Sequence, residues 1–230
     1  MLLLGHMCWT YLSGKCCASA LKVNVNPYVI MVLGAVPDFD LLLGSFGIVH
    51  RGITHSVLFW AIVFIPLFIR YRKQAIPYFV APVSHILVGD LIVNRTVVFW
   101  PLGPELGLRF RLFSVENLIL EAVGLAAFLL WVNLSSERNK LLARNRRNLL
   151  SLLPIVPLAG FLVFLYQADL PMQLQFEGEF DQMDKIAERV MQKSLYPFVL
   201  AMHLILLAFL SVCFVQGSRA LTKKPIHHSQ

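Results

Sequence analysis

The sequence predicts an all-α, polytopic integral membrane protein, a helical bundle of about five clear transmembrane helices preceded by two helices that polar residues interrupt. Hydrophobic residues make up 57% of the 230 residues and charged residues only 14%, whereas soluble domains average roughly 25% charged residues. Apolar runs recur along the chain at close to the roughly 20 residues that a helix needs to cross a bilayer. Together these features exclude a disordered chain, a coiled coil and a disulfide scaffold.

The helices are predicted from apolar runs, taken in chain order. Residues 2–20 and 27–44 are the two weaker runs, and we expect both to form helices packed inside the bundle because their polar residues would be costly in lipid. The five stronger runs, each expected to cross the membrane, are 56–70, 75–93, 115–134, 149–166 and 195–215. The polar stretch 167–193 is expected to form an amphipathic helix near the membrane surface.

The basic residues predict how the chain is oriented. Lys and Arg number 20 against 13 Asp and Glu, a net charge of +7, and they lie mainly in short connections between apolar runs. Alternate connections hold most of them, at Lys15 and Lys22, at 70–73, at 138–147 and at 219–224. By the positive-inside rule these connections are cytoplasmic, which with seven crossings places the N-terminus outside and the C-terminus in the cytoplasm. The distribution of basic residues therefore indicates the orientation of the chain in the membrane, and we expect no direct nucleic-acid partner.

Seven ionisable residues fall in the outer half of the bundle under this topology. They are His6, Asp38, Asp40, His50, His55, His85 and Asp90. Each costs about 2.5 to 3.5 kcal/mol at membrane depth on insertion scales, so a cluster of them usually marks function. Imidazoles and carboxylates without a thiolate are the ligands that Zn²⁺, Mn²⁺ or Fe²⁺ takes in hydrolytic sites. We expect a divalent metal site, most simply zinc, with room for two ions about 3.5 to 4 Å apart that Asp38 or Asp40 bridges.

Two short motifs hold four of these residues. Pro37 disfavours helix at the preceding residue, so Asp38 and Asp40 are expected in a turn just past a helix end. The second motif, HRGITHS at residues 50–56, separates two histidines by a glycine that loosens the backbone. Its threonine or its last serine is expected to cap the helix that follows.

These motifs, together with Ser84-His85 and Trp100-Pro101 further on, resemble the YdjM-like family of inner-membrane proteins. The family is described as metal-dependent hydrolases and as LexA-binding, and it is distantly similar to zinc-dependent phospholipase C. The similarity covers about residues 1–102. It implies a bacterial inner-membrane location and a hydrolase activity on an undefined substrate.

The resemblance also implies roles for individual residues. By position, all seven clustered residues are metal ligands. For the hydrolase that the resemblance implies, we further predict that Asp38, His55 and Asp90 are catalytic. Residues 1–102 are then the half of the chain that holds the metal site. Residues 103–230 add further transmembrane helices, with the outer amphipathic loop, to the same membrane domain.

One spacing departs from the family pattern. There the later His and Asp lie four residues apart on one helix face, whereas His85 and Asp90 are five apart. Five residues rotate by about 140° on an α-helix, so both side chains can face one ion only if Gly89 marks a bulge or a helix end.

Other polar residues leave alternatives open. Glu116 and Glu121 either orient the histidines or form helix–helix contacts. His203, in the middle of the last apolar run, is expected to make a helix–helix hydrogen bond. The outer-face cations, which suit a phosphate group or snorkel to lipid headgroups, are Arg51, Arg95, Arg109 and Arg111.

Three functions remain as hypotheses. The first is a membrane-embedded metal-dependent hydrolase that acts at the outer face of the inner membrane on a lipid or lipid-linked phosphoester. The second is a non-enzymatic regulator or scaffold that binds a cytosolic protein partner through the basic residues 138–147, in line with the LexA-binding description. The third is a metal or proton transporter, which would need ionisable residues through the whole membrane depth. The oligomeric state is not predicted.

Overall fold

The structure, a computed structural model, describes residues 1–46, 50–93, 95–108, 110, 113–167 and 182–222, with side chains described outside 42–46, 167 and 182–192. Within these ranges the regular elements are helices joined by turns and loops, and the predicted all-α class is confirmed. The helices are α1 Leu3–Ala20, α2 Pro27–Leu33, α3 Val57–Tyr71, α4 Ile76–Val93, α5 Val115–Leu134, α6 Glu137–Leu141, α7 Leu152–Gln167 and α8 Gln182–Thr222.

Among the described residues, four helical segments are long and apolar enough to cross a membrane. They are Ile76–Val93, Val115–Leu134, Arg146–Tyr166 and Lys193–Thr222. Four of the five strong apolar runs therefore form helices of spanning length. The fifth run forms α3, whose 15 residues fall short of the roughly 20 that a straight crossing needs.

The predicted helix over 27–44 is wrong in its second half. α2 begins after Asn26, whose side-chain oxygen accepts hydrogen bonds from the second and third following amides, and it ends at Leu33. Pro37 has no N–H to continue the helical bonding back to Leu33, and its ring would meet the carbonyl of that residue. The chain turns there and continues as a 3₁₀ helix over Pro37–Phe46, so the Asp-x-Asp motif follows a helix end as predicted.

The predicted position of α1 inside the bundle is confirmed. α1 contacts α2, α4, α5, α7 and α8, and its Met7 and Tyr11 are fully buried in the main apolar core. In that core the Tyr11 ring meets the edge of Phe128 from α5. A helix surrounded in this way can carry polar side chains because neighbouring helices, rather than lipid, contact them.

The first amides of α1 are capped by side chains from other helices. The Glu121 carboxylate on α5 accepts hydrogen bonds from the backbone N–H of Leu2 and of Gly5. His203 on α8 accepts from the N–H of Leu4 at 3.3 Å through Nε2. The expected helix–helix hydrogen bond of His203 is therefore confirmed, and Glu121 forms a helix–helix contact rather than orienting a histidine.

An ion cluster anchors the other end of α1. Lys15 Nζ lies 2.8 Å from Glu137 Oε2 on α6, and Lys140 Nζ lies 2.9 Å from the other oxygen of the same carboxylate. Burial disfavours the charged carboxylate, but the hydrogen bonds from the two lysines outweigh it and lower the pKa of Glu137 below its ordinary value. α1 therefore runs from the region around His6 to the basic segment that follows α5.

Candidate metal centre

The seven predicted site residues come from four segments that meet beside α1. His6 lies on the second turn of α1, and Asp38 and Asp40 open the first 3₁₀ helix. His50 precedes a short 3₁₀ helix, Ile53–His55, that ends in His55 itself. His85 and Asp90 begin and end the π-helical turn inside α4. The structure brings all seven together, although in two layers.

Four donor atoms form the inner layer. His55 Nε2 and His85 Nε2 lie 3.3 Å apart. Asp38 Oδ1 lies 3.4 Å from His55 Nε2 and 3.5 Å from His85 Nε2. Asp90 Oδ2 lies 3.3 Å and 3.2 Å from the same two nitrogens. Zinc bound at about 2.0 to 2.1 Å in a tetrahedron separates its ligand atoms by about 3.3 to 3.4 Å, so each carboxylate has, with the two imidazoles, the spacing of ligands of one divalent ion.

The outer nitrogen of each inner imidazole faces an acceptor. His85 Nδ1 lies 2.6 Å from the carbonyl oxygen of Gly34. His55 Nδ1 lies 3.2 Å from Asp40 Oδ2 and 3.0 Å from the Thr54 hydroxyl. These acceptors favour the proton on Nδ1 in both rings, which leaves the Nε2 lone pairs directed at the inner layer. Asp90 Oδ2 is likewise buried without a hydrogen-bond partner, as an oxygen aimed at a shared centre would be.

Asp40 lies in the outer layer, behind His55. Its carboxylate faces four groups of one loop: His50 Nδ1 at 2.8 Å, the Thr54 hydroxyl at 2.6 Å, the Arg51 N–H at 3.2 Å and His55 Nδ1. A carboxylate that holds the far nitrogen of a histidine in this way fixes the orientation of the ring. In this arrangement Asp40 is placed to position the loop, and the four contacts occupy both of its oxygens.

The second oxygen of Asp38 faces a different imidazole. His6 Nε2 lies 3.8 Å from Asp38 Oδ2, and the His6 ring stacks on His85 with centroids 3.6 Å apart. Asp38 also belongs to two further groups of possible ligands, in each of which the ligand atoms lie within 4.8 Å of one another. One group adds His6 and His85, and the other adds His50 and His55. His6 Nδ1 is buried without a hydrogen-bond partner. Asp38 therefore contacts imidazoles on two sides, His55 and His85 through Oδ1 and His6 through Oδ2.

The π-helical turn explains how His85 and Asp90, five residues apart, can face the same point. In a π-helix the backbone bonds close from residue i to i+5, so the wider turn brings Asp90 back over His85. Gly89 makes this turn compatible with His6, because a Cβ at Gly89 would lie 2.2 Å from His6 Cε1. The requirement for a bulge at Gly89 is confirmed.

Arg51 in the HRGITHS motif has a strained backbone. Its φ of +62° lies in the left-handed region that non-glycine residues seldom adopt. Its backbone N–H bonds Asp40, and its Nε lies 3.7 Å from Asp90 Oδ1 in the inner layer. The strained residue, Arg51, is therefore the one that contacts both Asp40 in the outer layer and Asp90 in the inner layer.

The motif also continues into α3. Ser56 caps the helix by accepting from the Phe59 N–H at 3.4 Å, as predicted, and donates to the Trp100 carbonyl at 3.0 Å. The Trp60 ring N–H donates to the Thr54 carbonyl at 2.7 Å. These bonds tie the loop to the helix that follows it.

Charge in the site is dominated by the carboxylates. Burial disfavours the ionised Asp38 and Asp40, but the surrounding histidines outweigh it and hold the pKa of each carboxyl below its usual range. Burial also disfavours a charged His55, and the neighbouring carboxylates nevertheless raise its pKa to about 9. The ionised carboxylates of the described site are therefore balanced in part by a proton on His55, the position that a bound cation would compete for.

The site opens on one side. His6, His55, His85 and Asp90 are at most 2% exposed, whereas the Asp38 side chain is 22% exposed. Further contributors were not identified from the sequence, namely the Gly34 carbonyl and the Thr54 hydroxyl. The hydroxyl lies inside a recognised motif, but a backbone acceptor carries no sequence signal.

Some predictions lie outside the described residues. Arg109 and Arg111 are among them, and so are the side chains of Met183, Ile186 and Val190 on the predicted amphipathic helix. The backbone from 182 onwards is helical and continues directly into the last span. Glu116 is exposed at the start of α5.

A comparison with protein families places the chain. The family profile described as YdjM inner membrane protein matches residues 1–170, well over half of the sequence. The chain therefore belongs to the YdjM inner membrane protein family, and the match extends beyond the motif-bearing half. Searches of curated proteins and of solved structures found no match. With four apolar helices of spanning length, this identifies an inner membrane protein; the LexA-binding and phospholipase C similarities stay predictions.

Proposed function

We propose that this YdjM-family inner membrane protein is a metal-dependent hydrolase that acts at the outer face of the membrane on a lipid or lipid-linked phosphoester. The observation that carries the proposal is the inner layer, where His55 Nε2 and His85 Nε2 lie 3.3 Å apart and an oxygen of Asp38 and one of Asp90 each lie 3.2 to 3.5 Å from both nitrogens. Two imidazoles and two carboxylates suit zinc best, and manganese or iron also accept such donors.

The proposed roles follow from burial and contacts. When bound, a divalent ion supplies Lewis acidity towards a phosphoryl oxygen and acidity to water. His55 and His85 hold the ion, each oriented through its Nδ1, and Asp90 completes the buried side. Asp38 is the only inner ligand that reaches the opening, so its carboxylate takes the proton from the attacking water. His50, partly exposed and bonded to Asp40, is placed to return a proton to the leaving group.

The multi-pass topology and the orientation of the termini are part of the proposal. His6 and Lys15 are nine residues apart on α1, which separates them by about 14 Å along the helix. Lys15 contacts Glu137 beside the basic residues 138–147. If those residues are cytoplasmic by the positive-inside rule, the metal centre lies towards the outer face.

Metal content tests the proposal directly. We expect the detergent-purified protein to retain about one to two equivalents of zinc or manganese by plasma mass spectrometry. His55→Ala and Asp90→Asn should lose the ion and the hydrolysis of dodecyl p-nitrophenyl phosphate. His227→Ala, a histidine change in the C-terminal segment, should alter neither. A well-folded parent protein that takes up neither zinc nor manganese would refute the proposed function.

A further inference from the structure

Exposed apolar side chains are close chain neighbours of the candidate site residues. Phe39, between Asp38 and Asp40, is 42% exposed, and Leu41 just after Asp40 is also exposed. Ile53, two residues before His55, is exposed as well. We call Phe39, Leu41 and Ile53 the apolar rim.

The apolar rim is not part of a spanning helix. Its residues lie in the two 3₁₀ helices, outside the four segments of spanning length. Irregular backbone is not tolerated facing lipid tails at full membrane depth, so a rim of this kind belongs at the lipid–water boundary. Exposed Leu58 at the start of α3 and Leu87 in the π-helical turn continue the apolar surface onto the helices. Exposed apolar side chains therefore occur both in the 3₁₀ helices that hold Asp38 and His55 and in the helical segments that follow them.

A cation lies beside the same opening. Arg51 is part exposed, with its Nε 3.7 Å from Asp90 and its backbone bonded to Asp40. Guanidinium groups bind phosphate through paired N–H donors and are weakly hydrated, which suits a boundary position. The opening thus combines a fixed positive group with apolar neighbours, a pattern that matches the two ends of an anionic lipid.

Building on the proposed hydrolase function, we propose that the metal centre receives an anionic lipid laterally from the membrane. Its headgroup contacts Arg51, and the upper part of its acyl chains lies on Phe39, Leu41 and Ile53. Zwitterionic lipid lacks the net charge that Arg51 selects, and a free phosphate lacks the chains that the rim contacts. The substrate class is therefore an amphiphile with a net negative phosphoester.

Photocrosslinking in vesicles tests this docking. The full-length protein carrying Phe39→benzoylphenylalanine is reconstituted in phosphatidylcholine vesicles with a trace of radiolabelled phosphatidylglycerol or, in parallel, radiolabelled phosphatidylcholine. Val163→benzoylphenylalanine is the matched control, because Val163 is 55% exposed on α7, a helix without charged residues. Position 163 should label equally with both lipids. Position 39 should prefer phosphatidylglycerol by about fivefold, and Arg51→Gln should abolish that preference.

The outcomes separate the docking proposal from the proposed hydrolase. Equal labelling at position 39, a preference that survives Arg51→Gln, or no labelling at position 39 while position 163 labels would each overturn the docking. Ile53→benzoylphenylalanine repeats the test if the Phe39 variant does not fold. A preference at position 39 in a protein that binds no metal would keep the docking surface and remove the hydrolase. Metal binding without the lipid preference at position 39 would keep the proposed hydrolase and remove the docking surface.

Discussion

Gly89→Ala should disrupt the metal centre through a single added methyl group. The new Cβ would lie 2.2 Å from His6 Cε1 and 2.5 Å from His6 Nδ1. Carbon atoms in contact prefer about 3.5 to 4.0 Å, so the ring must move by more than about 1 Å. That shift breaks its stack on His85 and moves Nε2 away from Asp38. Overpacking of this kind costs about 1 to 3 kcal/mol of stability.

Metal affinity should fall along with stability. Because His6 borders the inner layer without belonging to it, we expect a loss of about 10- to 100-fold, as for other changes behind a ligand. Chelator competition measures the affinity, and thermal unfolding in detergent measures the stability. Gly160→Ala on α7 is the matched control, since its added Cβ meets nothing within 4 Å.

A double variant decides whether the steric reasoning is correct. His6→Ala removes the ring that the new methyl group meets, so His6→Ala with Gly89→Ala should be no less stable than His6→Ala alone. If Gly89→Ala behaves like Gly160→Ala in both assays, the contact between Gly89 and His6 does not control the site. If the double variant is as destabilised as the sum of the single changes, the cause is the backbone of the π-helical turn.

Three further predictions concern single carboxylates. Asp40→Asn should weaken metal binding by about 10- to 100-fold without abolishing it, measured by chelator competition, because it only loosens His55; complete loss would make Asp40 a direct ligand. Glu121→Gln should cost about 1 to 3 kcal/mol in thermal unfolding, since one α1 amide loses its acceptor, and exposed Glu116→Gln should cost nothing measurable. Glu137→Gln should destabilise the protein above the ordinary glutamate pKa. Because the folded-state pKa of Glu137 is lowered, its contribution to stability is lost as the pH falls from the ordinary glutamate pKa through the folded-state pKa. The melting temperatures of the parent protein and of Glu137→Gln should therefore differ at neutral pH and converge at acidic pH. A difference that stays constant with pH would contradict this.

The composition of the site could be predicted from the sequence, because ionisable side chains in apolar surroundings are conspicuous. The five-residue gap between His85 and Asp90 even indicated the local backbone, since no α-helix can direct both at one point. The division of the site residues into an inner and an outer layer could not be predicted. Asp38 and Asp40 are the same residue type in one motif, and only the tertiary contacts show that one faces the ion position and the other faces the loop.

Helix length was the least predictable part of the fold. The apolar run over 27–44 continues past Pro37, but hydropathy does not register that a missing N–H stops the helix. The first half of the run forms α2, and the rest becomes the segment that presents Asp38. The same proline that shortens the helix therefore delivers a carboxylate to the metal centre.

Charge balance connects the proposed metal centre to the proposed substrate. Asp38, Asp40 and Asp90 contribute three negative charges, and Arg51 returns one positive charge. With its histidines neutral, the cluster therefore lacks two positive charges, which one divalent ion would supply. The pKa of His55 is raised, against the effect of burial, by the same carboxylates that would attract the ion. A second ion beside His6 would leave an excess of two positive charges at the opening, and an anionic phosphoester that approaches past Arg51 is the group that neutralises it.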